Sequence, residues 1–319
     1  MSSTTLDYTN ASLIYYQQGL SDSEVRERTD VTLKMANVAR ESAETVSEQM
    51  TAIWNNFDNG SKSLEYYADV ITALGAATAS SSSEISAGLN KFAAVADTVG
   101  LSYENATAAL ATITATTRQS ADTVGTGLRT LFSRLQGLSL GDTLEDGVNL
   151  NKYSAALAKV GVQALDSSGQ LRRMDDVLED LGARWGSLTE AQQTALAQTV
   201  GGVRQYTTLV ALMDNWDFMK RNQQVAAGAE GTLQKQADIY AESWEAARKR
   251  VQAATEGIYD TLIDDDFFIK VDNVIEHLLN GVNKFLDAFG GIPGLLTSVG
   301  GLILGLTANK IGPAVQSMV

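Results

Sequence analysis

The chain contains no cysteine, which removes disulfides, thiolate metal sites and cysteine nucleophiles together. It contains 2 prolines, Pro293 and Pro313, so everything before Pro293 is free of the strongest helix breaker. Its 1 histidine, His277, cannot build a zinc site without other ligands, and thiolates are missing. Basic residues are outnumbered: 24 Lys and Arg stand against 38 Asp and Glu, for a net charge of −14. That field repels a phosphate backbone and argues against direct, sequence-specific nucleic-acid binding. The patterns HExxH and GxxxxGK[ST] do not occur, and period-2 alternation does not stand out. The stretch Met1 to Asn10 is polar, with no basic run before an apolar one, so no signal peptide is expected.

What is present is helical periodicity. Hydrophobic residues make up 44% of the chain, enough for a real core, and 27 glycines punctuate it in place of proline. Ser21 and Glu24 have capping-box spacing, and a stripe follows through Ala36, Ala39, Ala43, Val46, Met50, Ile53 and Phe57. These residues predict one long amphipathic helix from about Asp22 to Phe57, stopped at Asn59-Gly60. Shorter stripes follow: Leu64, Tyr67, Ile71 and Leu74, then Phe92, Val95, Ala96 and Val99, then Tyr103, Ala106, Leu110 and Ile113. Further stripes run Val124, Leu128, Leu131, Leu135 and Leu138, then Tyr153, Ala156, Leu157 and Val160. Others run Leu171, Met174, Leu178, Leu181 and Trp185, and Leu209, Leu212, Trp216 and Met219. Ser81 with Glu84 and Ser187 with Glu190 open two of these helices, Asp166 to Gly169 is a turn, and Gly201-Gly202 is a break. Each stripe needs a neighbour, so the reading is an all-α, multi-helix bundle.

Leu233, Ala237, Tyr240, Trp244, Ala247, Val251, Ala254 and Ile258 step by four and three, as in a heptad seam. The seam predicts either self-association as a coiled coil or a long amphipathic helix lying on the bundle. Beyond Asp264, Asp265 and Asp266, a stretch without charge runs from Ala288 to Asn309. Its apolar residues Ile292, Leu295, Leu296, Val299, Leu302, Ile303, Leu304 and Leu306 are candidates for membrane insertion, since about 20 residues cross a hydrocarbon core. Pro293, the glycines, Thr297 and Ser298 support the other reading, a buried hairpin or packing segment. The expected organisation is an N-terminal long-helix region at 1–63, a compact helical core at 64–228, the heptad helix at 229–263 and the apolar segment at 264–319. The abrupt end at Val319 suggests that the natural protein continues.

Candidate chemistry is sparse. Three adjacent aspartates on a helix diverge and are better placed as helix N-terminal charge than as a chelate. Asp142, Glu145 and Asp146 lack the alternating ligands and distal glutamate of a calcium loop. Gly125 and Gly127, in VGTGLR, follow no strand, so a close helix contact is expected rather than a phosphate loop. Arg248, Lys249 and Arg250 form a solvated face. No catalytic residue, cofactor or metal is expected, and the chain is read as a structural or interaction protein rather than an enzyme. A hydrolase concealed among the helices is the rival.

Several stretches, taken in order, resemble the central region of phage tail tape-measure proteins, the minor tail proteins of long-tailed phages and prophages. Tyr8 to Ala11 with QQGLSDSEVRERTDVTLK, Gln17 to Lys34, is similar to the family's opening segment. ITALGAATASSSSEIS, Ile71 to Ser86, follows, and RQSADTVGTGLRTLFSRLQGL, Arg118 to Leu138, is the most characteristic stretch. LDSSGQLRRMDDVLEDLGARW, Leu165 to Trp185, resembles a turn-then-helix element, and LAQTVGGVRQYTTLVALMDNW, Leu196 to Trp216, a GG-x-R element. YAESWEAARKRVQAATEGIYDTL, Tyr240 to Leu262, is similar to the helix before a membrane-like region.

The resemblance implies a virion component made in the host cytoplasm and housed in the tail lumen. It would set tail length, act in assembly and help deliver the genome through the host envelope. Implied partners are the tail tube protein, tail assembly chaperones, tail-tip or baseplate proteins, further copies of the chain and, during infection, the host membrane. A continuous helix of this length would span roughly 480 Å at 1.5 Å per residue, but the glycine breaks argue against one rod. Full tape measures are usually much longer, and no lytic or peptidase domain is visible. The alternative is a membrane-active, pore-forming helical protein with no phage role.

Overall fold

The computed structural model describes residues 3–136, 151–168 and 170–261. The chain divides into two units, Met1–Ala246 and Ala247–Val319, and of the second only 247–261 is described. Among the described residues the chain is all-helical. The first seven helices are α1 (Thr5–Gln17), α2 (Asp22–Ala39), α3 (Ala43–Phe57), α4 (Leu64–Ala77), α5 (Ser82–Thr98), α6 (Tyr103–Thr117) and α7 (Ala121–Gln136). Six more follow: α8 (Asn151–Lys159), α9 (Met174–Trp185), α10 (Glu190–Asp214), α11 (Trp216–Ala227), α12 (Thr232–Ala241) and α13 (Trp244–Thr261). The one pairing of extended chain among these residues is an antiparallel bridge between Leu165 and Leu171. It closes around Asp166, whose Oδ1 accepts the amides of Ser168 at 2.8 Å and Gln170 at 2.9 Å.

Helix starts follow from hydroxyl side chains placed before apolar periods. The Ser21 amide donates to Glu24 Oε2 at 2.8 Å, and the Ser81 amide to Glu84 Oε2 at 2.7 Å, as the capping-box spacing predicts. Thr4, Ser42, Ser63 and Ser102 cap α1, α3, α4 and α6 by accepting an amide three residues on. The expected Ser187 cap is corrected. Thr189 begins α10 instead, with its amide donating to Gln192 Oε1 at 2.9 Å, while the Ser187 hydroxyl donates to the Arg184 carbonyl at the end of α9.

The long helix expected from Asp22 to Phe57 is also corrected: it is two helices. Arg40 takes a left-handed conformation, φ 59° and ψ 39°, and the Glu41 amide donates back to the Ala36 carbonyl. Ser42 then caps α3 through the Thr45 amide at 3.1 Å. The apolar stripe carries on across the break because α2 and α3 pack against each other and both against α1.

Helices α4 and α6 lie at the centre. In α4 every residue from Tyr66 to Leu74 is buried, and in α6 every residue from Ala106 to Thr114. A helix apolar all round must be enclosed all round. Accordingly α4 meets α2, α3, α5, α6, α11 and α12, and α6 meets α4, α5, α7, α10 and α11. The helices of 1–63 and of 64–228 contribute to one continuous core, with Tyr15, Trp54, Ile71, Leu74, Phe92 and Phe132 among its fully buried side chains. Gly88 and Gly125 mark the closest approach of α5 to α7. A Cβ on Gly125 would run into the Gly88 carbonyl oxygen, so a small residue is obligatory there.

Several polar groups inside this core are partnered in specific ways, while the buried Thr29 and Thr114 hydroxyls are not. Asp69 on α4 is 3% exposed, and its two carboxylate oxygens accept the amides of Gly231 at 2.9 Å and Leu233 at 2.7 Å. One buried side chain therefore satisfies the orphan donors at the start of α12. Asp175 performs the same service for α6, accepting the Ser102 amide and the Asn105 side chain at 2.7 Å. Thr112 accepts from Asn222 at 2.8 Å, joining α6 to α11. The Tyr103 hydroxyl donates to the Tyr67 carbonyl at 2.5 Å, and the Tyr67 hydroxyl to the Phe57 carbonyl at 3.0 Å.

Two stability measurements follow. Asp69→Ala leaves the buried Leu233 amide and the part-buried Gly231 amide without acceptors and is expected to cost about 1–3 kcal/mol, read as a lower urea midpoint; an unchanged midpoint rejects the capping role. Burial, then the nearby Asp58 carboxylate, push the Tyr67 hydroxyl up to about 12 from the ordinary 10.0. A raised folded-state value means that its stabilisation is complete below pH about 10 and is lost as pH climbs through about 12. Thermal melts followed by circular dichroism should fall across that window, and Tyr67→Phe should flatten the fall.

Candidate functional site

Two stretches that carried the resemblance, Arg118 to Leu138, the most characteristic, and the GG-x-R element of Leu196 to Trp216, contribute α7 and α10, which pack against each other. At their junction α10 is not continuous. Gly202 has φ 67° and ψ 177°, which ends the helical run at Gly201 and restarts it at Val203. Only glycine adopts that conformation without strain. The Arg134 guanidinium occupies the space that a Cβ on Gly202 would need.

The break opens a cavity of about 420 Å³ lined by Thr130, Arg134, Gly201, Val203, Arg204 and Gln205. Thr130 and Arg134 stand one turn apart on the same face of α7, and Val203, Arg204 and Gln205 open the second half of α10. Among the described residues that line it, none is acidic. Arg134 is half-buried and Arg204 is exposed. Val203 is 85% exposed, more than any other large hydrophobic side chain among the described residues. The arrangement offers two permanent positive charges, a hydroxyl, a side-chain amide and an apolar knob, all at one helix break. It contains no nucleophile paired with a base, and no group of three or more His, Asp or Glu side chains gathers among the described residues.

The heptad seam is distributed differently from its expected form. It is carried by two helices rather than one, because Glu242 and Ser243 interrupt it and the Ser243 hydroxyl accepts the Ala246 amide at 3.2 Å to start α13. Leu233 is fully buried, beside the amides that Asp69 caps, and Ala247 is buried. Ala237 and Tyr240 are half-buried, and Val251 and Ala254 are exposed. The side chains of Trp244 and Ile258 lie outside the described residues. The membrane-inserting candidates Ile292, Leu295, Leu296, Val299, Leu302, Ile303, Leu304 and Leu306 lie outside the described residues, as do Asp264 to Asp266, His277 and the Asp142, Glu145 and Asp146 cluster. No helix among the described residues is long and apolar enough to cross a membrane.

Sequence reasoning located Gly201-Gly202 as a break and grouped Arg204 with it, but it did not pair Arg204 with Arg134. The two are 70 residues apart in the chain, and only the packing of α7 on α10 unites them. The signal that was available is an arginine two residues after a double glycine, in a chain poor in basic residues.

The family model described as phage-related minor tail protein matches residues 1–202. The match spans α1 to the first half of α10 and ends at Gly202, the residue at which that helix breaks. No solved structure matches the chain.

Gly202→Ala forces a side chain into a left-handed position and against Arg134. It is expected to cost about 1–2 kcal/mol and to lower the thermal midpoint; a variant as stable as the parent shows that α10 straightens there at no cost.

Proposed function

We propose that this chain, which belongs to the family of phage-related minor tail proteins, works as the folded portion of a tail tape measure. Family membership makes it a structural component of a phage tail and associates it with the virion. The finer reading is that it acts in tail assembly and length determination, and in passage of the genome through the host envelope. It does so as a structural protein rather than an enzyme, with the tail tube, tail chaperones and tail-tip proteins as partners. Exposed Val251 and Ala254 on α13 are the part of the predicted seam left open for contact with further copies of the chain.

The observation that carries this reading is the division of labour within the fold. A ruler works through length per residue, and the helices of 3–246 give that up by packing into one core. This unit is therefore suited to anchoring the protein at one end of the tail and to delivery, while the measuring length lies in other sequence. The matched range, 1–202, falls entirely within the unit Met1–Ala246.

The test is electron microscopy of tails from phage carrying an in-frame deletion of residues 64–228. If this segment measured as an extended helix, tails would shorten by about 250 Å at 1.5 Å per residue. The expected outcome is parental tail length, or no tail at all, with infectivity lost. Shortening by the full helical length assigns the segment to the ruler, and normal, infectious tails overturn the tail role altogether.

A further inference from the structure

We infer that Asn59 is a self-modification site: in the folded chain its side-chain amide is lost to attack by the Gly60 backbone nitrogen, and the loop from α3 to α4 gains a carboxylate. The hydrogen bonds of that loop carry the inference. Asn59 and Gly60 are both exposed, between the end of α3 at Phe57 and the start of α4 at Leu64. The Ser61 amide donates to Asn59 Oδ1 at 3.0 Å, an Asx turn that folds the Asn59 side chain back over the peptide that follows it. The Gly60 amide donates to Asp58 Oδ1 at 2.9 Å. A carboxylate thus holds the proton that the attacking nitrogen must lose. An N–H holds the oxygen on which negative charge builds as the bond to Cγ forms. Gly60 has φ 76°, and among the described residues nothing lies within 4 Å of the place where a Cβ would stand, so that side of its nitrogen is open.

The step balances with water as its one co-reactant. The Gly60 nitrogen bonds to Asn59 Cγ and gives up its proton, the Cγ–Nδ2 bond breaks, and the side-chain nitrogen leaves as ammonia, closing a cyclic imide. Water then opens the ring. Addition at Cγ leaves aspartate in the original main chain. Addition at the Asn59 backbone carbonyl leaves isoaspartate, whose main chain runs through the former side chain. Either product makes the net charge of −14 one unit more negative. The fold accommodates both, because the Asp58 amide stays on the Trp54 carbonyl at the end of α3 and Ser63 still caps α4 through the Tyr66 amide. Asn56, three residues earlier, is held differently: its side chain donates to the Ala52 carbonyl at 2.6 Å, and the residue after it is the helical Phe57. The chain's other Asn-Gly pair, Asn280-Gly281, lies outside the described residues.

The experiment incubates the folded full chain in mildly alkaline buffer and follows it by isoelectric focusing and by peptide mapping with mass spectrometry. An acidic isoform is expected to accumulate, with aspartate and isoaspartate mapped to position 59, while the circular dichroism melt stays that of the fresh chain. Asn59→Gln, whose ring would be larger and slower to close, should leave position 59 unmodified. Asp58→Ala should slow the change there by about tenfold, less than the hundredfold or more of a general base in a closed site, because water competes in an exposed loop. A melt of that variant shows that it is folded. A folded chain that stays a single isoform while a free peptide of residues 55–64 reacts overturns the inference, since the loop then protects Asn59. So does an isoform mapped to Asn280 alone, or a rate at position 59 that Asp58→Ala leaves unchanged. The measurement is made without a tail, so its failure leaves the tail role standing.

Discussion

Everything in the bundle depends on two helices that have no outside. Because α4 and α6 are buried around their whole circumference, a polar atom they carry is costly without a partner within the protein, and Thr114 Oγ1 on α6 bears that cost. The solutions differ with the residue. Thr107 and Thr112 return their hydroxyls to the carbonyls of Tyr103 and Ala108, one turn back on the same helix. Asp69 cannot do so, and its burial raises the carboxyl's pKa even though two amides oppose the shift. Its answer is to accept those amides from the start of α12, more than 160 residues further on. The central helices thereby dictate where a distant element begins, and the chain is tied into one unit by the same bonds that make its centre tolerable.

Side-chain size adds the second half of that constraint. The middle of α6 is alanine and threonine with Leu110 and Ile113, and such a helix admits close neighbours. Where α5 crosses α7 the fit is closer still, backbone against backbone at Gly88 and Gly125. The contact places α7 for its further packing on α10, and so brings Thr130 and Arg134 to the break at Gly202. The cavity is a product of packing two layers away from it, which is why a reading of α10 alone shows a helix break and nothing more.

The fold was legible in the sequence to the extent that it rests on periodicity and capping. The stripes through Val46 to Phe57, Leu64 to Leu74 and Tyr103 to Ile113 are helices, and Ser21-Glu24 and Ser81-Glu84 are starts. What escaped has a common physical cause: one residue's conformation or one hydroxyl's choice of partner. Arg40 ends α2 in a left-handed state that arginine rarely adopts, so no composition rule marks it. Ser187 and Thr189 are both plausible caps two residues apart; Thr189 forms the capping box with Gln192, and the Ser187 hydroxyl turns back to the Arg184 carbonyl. Glu242 and Ser243 interrupt the heptad seam without disturbing its spacing, because hydrophobic periodicity counts residues and does not sense a turn whose capping residue is polar. The cavity was illegible for a further reason. Its charge is a local exception to the net −14 that first steered the reading, and a sum over the chain cannot report where its minority charges meet.

The same two enclosed helices bear on how a tail protein of this family can be organised. A chain that lies extended along a tube must leave each helix with one solvent-facing side, as a coiled coil does. Spreading this unit into such a rod would expose α4 and α6 on all sides. Removing even one large side chain such as Leu74 or Ile71 from its packing costs about 2–5 kcal/mol, and nine consecutive residues of α4 are buried together. Domains are stable by only about 5–15 kcal/mol in total, so a rod built from these residues would lie far above the bundle. A tail that used this segment as ruler would need a partner to cover both helices along their length. The bundle already covers them from within, so the folded form needs no such partner.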